Sequence, residues 1–200
     1  MEINRNLVNW SRAVHVYLSI ALLIILIFFS ITGITLNHAE SMVGEPQTEI
    51  ITLDSLPNLP LDDTGMIADS PELANYLRDE FGIRLEFSEL TIELPFVRIE
   101  YDGPGLQALV EIDQELGEVY AETTNYGLIA VLNDLHKGRY THIVWNALID
   151  ISAIILMIFS LAGFVLLLPN EYRFRSVAKY SLIGIVITSV AYFIATLSVY

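Results

Sequence analysis

The stretch LHKGRYTHIVWNALID, residues 135–150, sets two histidines, two cations and an aspartate where a long apolar run begins. Its second half enters Ile143 to Leu168, a hydrophobic run interrupted by Asn146 and Asp150. Two further runs match it: Val16 to Leu36 is almost unbroken, and Tyr180 to Val199 has no charge. At about 1.5 Å per helical residue, each is long enough to cross a hydrocarbon core of about 30 Å. They account for a hydrophobic content of 54% and a mean hydropathy of +0.52. The chain therefore reads as a membrane protein with three transmembrane α-helices. The first run exceeds the apolar core of an export signal and lacks a clear small-x-small cleavage site, so it is expected to be retained as an anchor.

Arg5 and Arg12 precede the first run, and Arg173, Arg175 and Lys179 lie between the second and third. Basic residues favour the cytoplasmic side, which puts the N-terminus inside and the C-terminus outside, although Lys137 and Arg139 oppose this orientation. The expected organisation is a tail and first helix over 1–38, an exported domain over 39–122 and an interfacial amphipathic helix with its turn over 123–142. The second helix covers 143–168, a cytoplasmic loop 169–179 and the third helix 180–200.

Residues 37–142 hold 21 Asp and Glu against 5 Lys and Arg, a net of −16, whereas the rest of the chain nets +2. So anionic a domain argues against nucleic acid and favours cations or a basic protein partner, beside the plain reading of a solvated surface. With no cysteine, disulfides, thiolate nucleophiles, iron–sulfur clusters and covalently attached haem are excluded.

Within the exported segment, residues 39–70 read as a linker with one edge strand, and SPELANYLRDEFG, 70–82, as a short amphipathic helix. From Ile83 the period becomes two: Leu85 and Phe87, then Leu90 and Ile92, then Val97, Ile99 and Tyr101 alternate with charged residues. DGPG at 102–105 and DQELGEV at 113–119 are turns between antiparallel strands. This predicts a small α+β domain inserted between the first two membrane helices. Residues 123–137 return to helical spacing, with a cap among Thr123, Thr124 and Asn125.

The first and second apolar runs echo each other. Arg12-Ala-Val-His15 opens one and Arg139-Tyr-Thr-His142 the other, and FSITGITL, 29–36, is matched by FSLAGFVL, 159–166. Ser-x-x-Gly is a spacing of small residues that lets helix backbones approach closely.

All four histidines, His15, His38, His136 and His142, lie at the ends of the first two runs. His38 and either His136 or His142 would stand at the outer boundary, where a pair of imidazoles could hold a b-type haem. His15, on the order of 35 Å along the helix from His38, would need its second ligand from elsewhere. Arg139, His142, Asn146 and Asp150 follow spacings of 3, 4 and 4, a polar stripe in which Asp150 must face protein. Asp150 and Arg139 are then candidates to orient an imidazole or balance iron charge, or simply to bond neighbouring helices and headgroups. No Ser-His-Asp set, HExxH or phosphate-binding loop is present.

Arg-x-x-His at the start of the first helix, Ser-x-x-Gly-x-x-Leu-Asn-His at its end, the Asp-x-x-x-Gly-Glu-Val hairpin and Leu-His-Lys-Gly-Arg leading to Trp-x-x-x-Ile-Asp resemble the PepSY-associated transmembrane family in a compact three-helix form. The resemblance implies a PepSY-like periplasmic domain and the bacterial inner membrane. Larger relatives resemble haem-bearing ferric-siderophore reductases or pass electrons to periplasmic flavoproteins. By that analogy His15, His38 and His136 match family histidines, while His142 is local to this sequence.

The leading expectation is thus a component of an electron-transfer or iron-acquisition system, rather than a stand-alone enzyme, with haem b and a periplasmic flavoprotein or redox protein as acceptor. Its competitor is a non-catalytic accessory subunit, anchored among other membrane subunits or as a homodimer, whose PepSY-like domain binds a partner. Regulation of a peptidase, linked to such modules by resemblance, finds little in these residues.

Overall fold

The computed structural model describes residues 4–53, 75, 78–83 and 85–197. In chain order the elements are α1 (Arg5–Asn37), α2 (Ala39–Met42), β1 (Gln47–Leu53), β2 (Glu86–Glu93), β3 (Phe96–Gly103), β4 (Leu106–Asp113), β5 (Glu118–Asn125), α3 (Gly127–Lys137), α4 (Ile143–Val165) and α5 (Glu171–Leu197). They form two compact units, Met1–Ile25 with Asp150–Tyr200, and Leu26–Ile149.

Three helices, α1, α4 and α5 from Phe174 onward, are long and apolar enough to cross a membrane. Their large apolar side chains are widely exposed, from Ile20 and Ile24 on α1 to Ile187 and Phe193 on α5. Lipid is the solvent that removes the cost of this exposure. The link expected as a loop over 169–179 is helical from Glu171, because the polar segment ahead of the apolar run contains no helix breaker after Asn170 and simply adds turns.

In the other unit, β1 to β5 form an antiparallel sheet in the order β1-β5-β4-β3-β2. Strands β2 to β5 are a meander, and β1 returns to the open edge of β5 with Ile51 opposite Ala121. Alternation places Val97, Ile99 and Tyr101, Ala108, Val110 and Ile112, and Val119 and Ala121 on one face, all buried. Each Val or Ile removed from water there contributes about 1.5–3 kcal/mol. Ile83 is buried with them and Phe81, Leu85 and Leu90 pack at the margin. The short helix expected over 70–82 lies largely outside the described residues, of which Asn75 and Arg78–Glu80 are helical.

Both expected turns are present. The Asp113 carboxylate accepts the backbone N–H groups of Glu115 and Leu116 at 2.8 and 3.0 Å, turning the chain into β5. At the DGPG turn, Gly105 has φ +67°, and a Cβ there would lie 2.8 Å from the Val131 backbone nitrogen, so α3 packs directly beneath the turn. The helix expected over 123–137 is shorter, Gly127–Lys137, because Thr123 and Thr124 belong to β5. Of the three expected caps, Asn125 takes part by accepting the Gly127 N–H at 2.8 Å.

Candidate functional site

Two histidines are placed by the echoed Phe-Ser-x-x-Gly segments. In the unit that contains the start of α1 and most of α4, His15 stacks on Phe159 with ring centroids 4.2 Å apart and planes 9° from parallel. Its Nδ1 lies 3.1 Å from the Phe159 carbonyl oxygen. A carbonyl only accepts, so Nδ1 carries the proton and Nε2 the lone pair. A Cβ on Gly163 would come within 2.9 Å of His15 Cε1, so the ring occupies a notch that only glycine leaves open.

The same construction recurs in the other unit with the segment Phe29 to Gly33 on α1. There the ring comes from His136 of α3, edge-on to Phe29 at 5.1 Å and against Gly33. Thr32 is 1% exposed and donates to the Phe28 carbonyl at 2.9 Å while lying 2.6 Å from His136 Nδ1. With the one hydroxyl proton given to Phe28, His136 must donate through Nδ1. One turn on, Thr35 Oγ1 donates to Asn133 Oδ1 at 2.8 Å, and both residues are buried. The ring that meets the α1 segment is thus His136, not the His142 of the echo, because α3 carries it against Phe29 and Gly33.

The end of α3 is closed by its surroundings. Gly138 is left-handed with φ +69°, and its N–H and that of Arg139 return to carbonyls of the last helical turn. Trp145 of α4 donates its indole N–H to the Leu135 carbonyl at 2.8 Å. In the same last turn, the Asp134 carboxylate accepts the Gly105 N–H at 2.9 Å. Through Asp134, Asn133, Leu135 and His136, α3 ties the sheet, α1 and the start of α4 together.

His142 and His38 are placed differently. His142 is exposed and its Nδ1 accepts the Val144 N–H at 3.3 Å, so the ring caps the start of α4. His38 is exposed at the N-cap of α2, and its ring makes no hydrogen bond among the described residues. The stripe expected from Arg139 to Asp150 is broken: α4 begins at Ile143, and Arg139 belongs to the turn before it. Asn146 accepts from Thr141 at 3.1 Å. Asp150 is exposed and, among the described residues, has neither a hydrogen bond nor an ion pair, so it orients no imidazole here.

A haem between His38 and His136 would require two ring nitrogens facing each other across an iron. His136 turns Nδ1 and Cε1 onto Thr32 and Gly33, which leaves Nε2 as its lone-pair nitrogen, and the His38 ring stands in the open. Among the described residues, no group of three or more His, Asp or Glu is arranged to hold a metal ion.

The sheet presents a second candidate surface on the face opposite its core. Register places Glu86, Glu89 and Glu93 of β2, Glu100 and Asp102 of β3, Glu111 and Asp113 of β4, and Glu118 and Glu122 of β5 there. Three pairs are like charges directly opposite across strands: Glu86 with Asp102, Glu89 with Glu100, and Asp113 with Glu118. Such pairs destabilise a sheet. Arg98 is the cation in this array, and it bonds Glu111 at 2.6 Å, which raises its guanidinium above the usual range. Sequence reasoning found the acidic balance but not this single face, which required the register and the bulge at Phe87 to Glu89. It also missed Thr32, Thr35 and Asn133, whose signal was a polar residue on the otherwise apolar side of each helix.

No curated protein and no solved structure matches the chain at a significant level. A family model does, that of the PepSY_TM-like proteins, and it spans residues 9–196. Its match takes in all three apolar helices and the sheet between them, so the chain belongs to the PepSY_TM-like family.

Proposed function

We propose that this chain is a non-catalytic accessory subunit of a bacterial inner-membrane complex. Its three helices anchor it, and the acidic face of its periplasmic sheet binds a basic surface on a partner protein. The observation that carries the reading is the set of three like-charge pairs on that face. Repulsion of this kind is kept at a cost in stability, and a cationic partner turns it into attraction.

The test is affinity purification of the full chain from its native membranes, beside Glu100→Gln and Glu118→Gln. The reading expects a basic subunit to co-purify, to be lost as salt is raised, and to be depleted in both variants although each is at least as stable as the parent. A partner retained equally by parent and variants, at low and high salt, contradicts it.

A second reading rests on His15. Its Nδ1 bond to the Phe159 carbonyl fixes the tautomer that leaves Nε2 as a ligating atom, the arrangement common in metal-binding histidine. A b-type haem bound there would supply one-electron chemistry, its other axial ligand coming from a second subunit. In this reading the chain contributes to an electron-transfer or iron-acquisition system. A Soret band abolished by His15→Ala in the assembled complex would support it.

A further inference from the structure

We infer that the outward face of α4 around Asp150 docks a transmembrane helix of another protein, one that carries a basic side chain at the depth of Asp150. The inference rests on the accessory reading and names where within the membrane the complex is held.

Helix α4 has two sides. Ser152 and Ala162 are buried, and Ile149, Ile155, Phe159 and Gly163 are partly covered, which defines the side turned toward the chain's own residues. At 100° per residue, Asp150 lies about 160° around the helix from Ser152. Ile154, Met157 and Leu161 continue its side and are exposed. Asp150 is therefore on the exposed side of α4 and, among the described residues, makes no hydrogen bond or ion pair. It also stands about 10 Å along the axis from Ile143, well inside the apolar run. A lone carboxylate at that depth is costly against lipid, and charged groups in membrane helices almost always face protein or a water-filled cavity.

The chain's own apolar runs offer no counter-charge. Val16 to Leu36 and Tyr180 to Val199 contain no charged residue, and Asp150 is the one charge between Ile143 and Leu168. At the same number of residues from the link between α4 and α5, α5 offers Ile185, Val186 and Ile187, none of them charged. A second copy on this face does not serve either. A two-fold axis along the membrane normal would set Asp150 beside its equivalent, and like charges at close range cannot both ionise. Complementarity selects a different helix, with Lys, Arg or His facing the carboxylate.

The test places a photoreactive phenylalanine at Ile154, on the face of Asp150, and separately at Glu100 on the sheet, in the full chain expressed in its native membranes. Illumination should join position 154 to one membrane polypeptide that has a basic residue within a membrane-spanning segment. The yield should fall at least about tenfold in Asp150→Leu and in the near-isosteric Asp150→Asn, and persist in Asp150→Glu. Exchanging the charges, with Asp150→Lys and the partner's cation changed to Glu, should restore it. Adducts only with lipid or with a second copy, or a yield indifferent to Asp150→Leu and Asp150→Asn, would overturn the inference. An adduct at position 100 without one at 154 defeats the inference alone, whereas none at either position defeats the accessory reading as well.

Discussion

Gly33 and Gly163 hold corresponding places in the two echoed segments, yet their tolerance should differ. A methyl at Gly33 would meet His136 Cε1 at 3.5 Å, an ordinary contact, whereas at Gly163 it would meet His15 at 2.9 and 3.1 Å. His15 cannot yield without loosening its stack on Phe159 and its bond to the carbonyl. Gly163→Ala is therefore expected to cost about 1–2 kcal/mol in detergent unfolding, and Gly33→Ala less than about 0.5 kcal/mol. Tyr101 gives a second test at this scale. Burial pushes its hydroxyl up to about 12, opposed in part by Arg78. The neutral form is the one favoured on folding, so its contribution is complete below about pH 10 and is lost as pH rises toward 12. Denaturant titrations across that window should show a stability decline that Tyr101→Phe removes. That the histidines form a group was legible from their positions alone. What each ring does was not, because its partners lie far away in sequence: Thr32 and His136 are 104 residues apart.

The elements most legible in advance were those with a strong period. The alternation from Leu85 to Tyr101 led to β2 and β3, the DGPG and DQELGEV turns to the hairpins, and the three apolar runs to α1, α4 and α5. Boundaries were less so, because the end of β5 is fixed by pairing with β1, and Thr124 meets Thr48 across that edge. No local preference in the sequence encodes that pairing. Helix α3 shows the same limit: its apolar spacing was visible, but not its place between the sheet turn and α1. Gly105→Ala tests that placement. The residue has φ +67°, and the added carbon would sit 2.5 Å from Val131 Cγ2 and 2.8 Å from its backbone nitrogen. Strain and overpacking together should cost about 2–4 kcal/mol in unfolding experiments and free α3 to exchange its amide hydrogens faster. A variant as stable as the parent would mean that α3 does not pack under the turn.

Taken as a whole molecule, the chain divides its polar groups by task. Carboxylates crowd one face of a sheet, while the histidines of α1 and α3 close helix contacts against glycine and threonine. Family membership and the three apolar helices were within reach of the sequence, since motifs and hydropathy are local. The packing partners of His15 and His136 were not, because they depend on which ring edge is turned inward. The most direct test of the central claim, that the chain is an accessory subunit and holds no haem between His38 and His136, is the optical spectrum of the full chain purified after haem-replete expression. The account predicts no Soret band, with His136→Ala lowering stability. A b-type spectrum in the purified chain that disappears in His136→Ala or His38→Ala, with the fold retained, would contradict it.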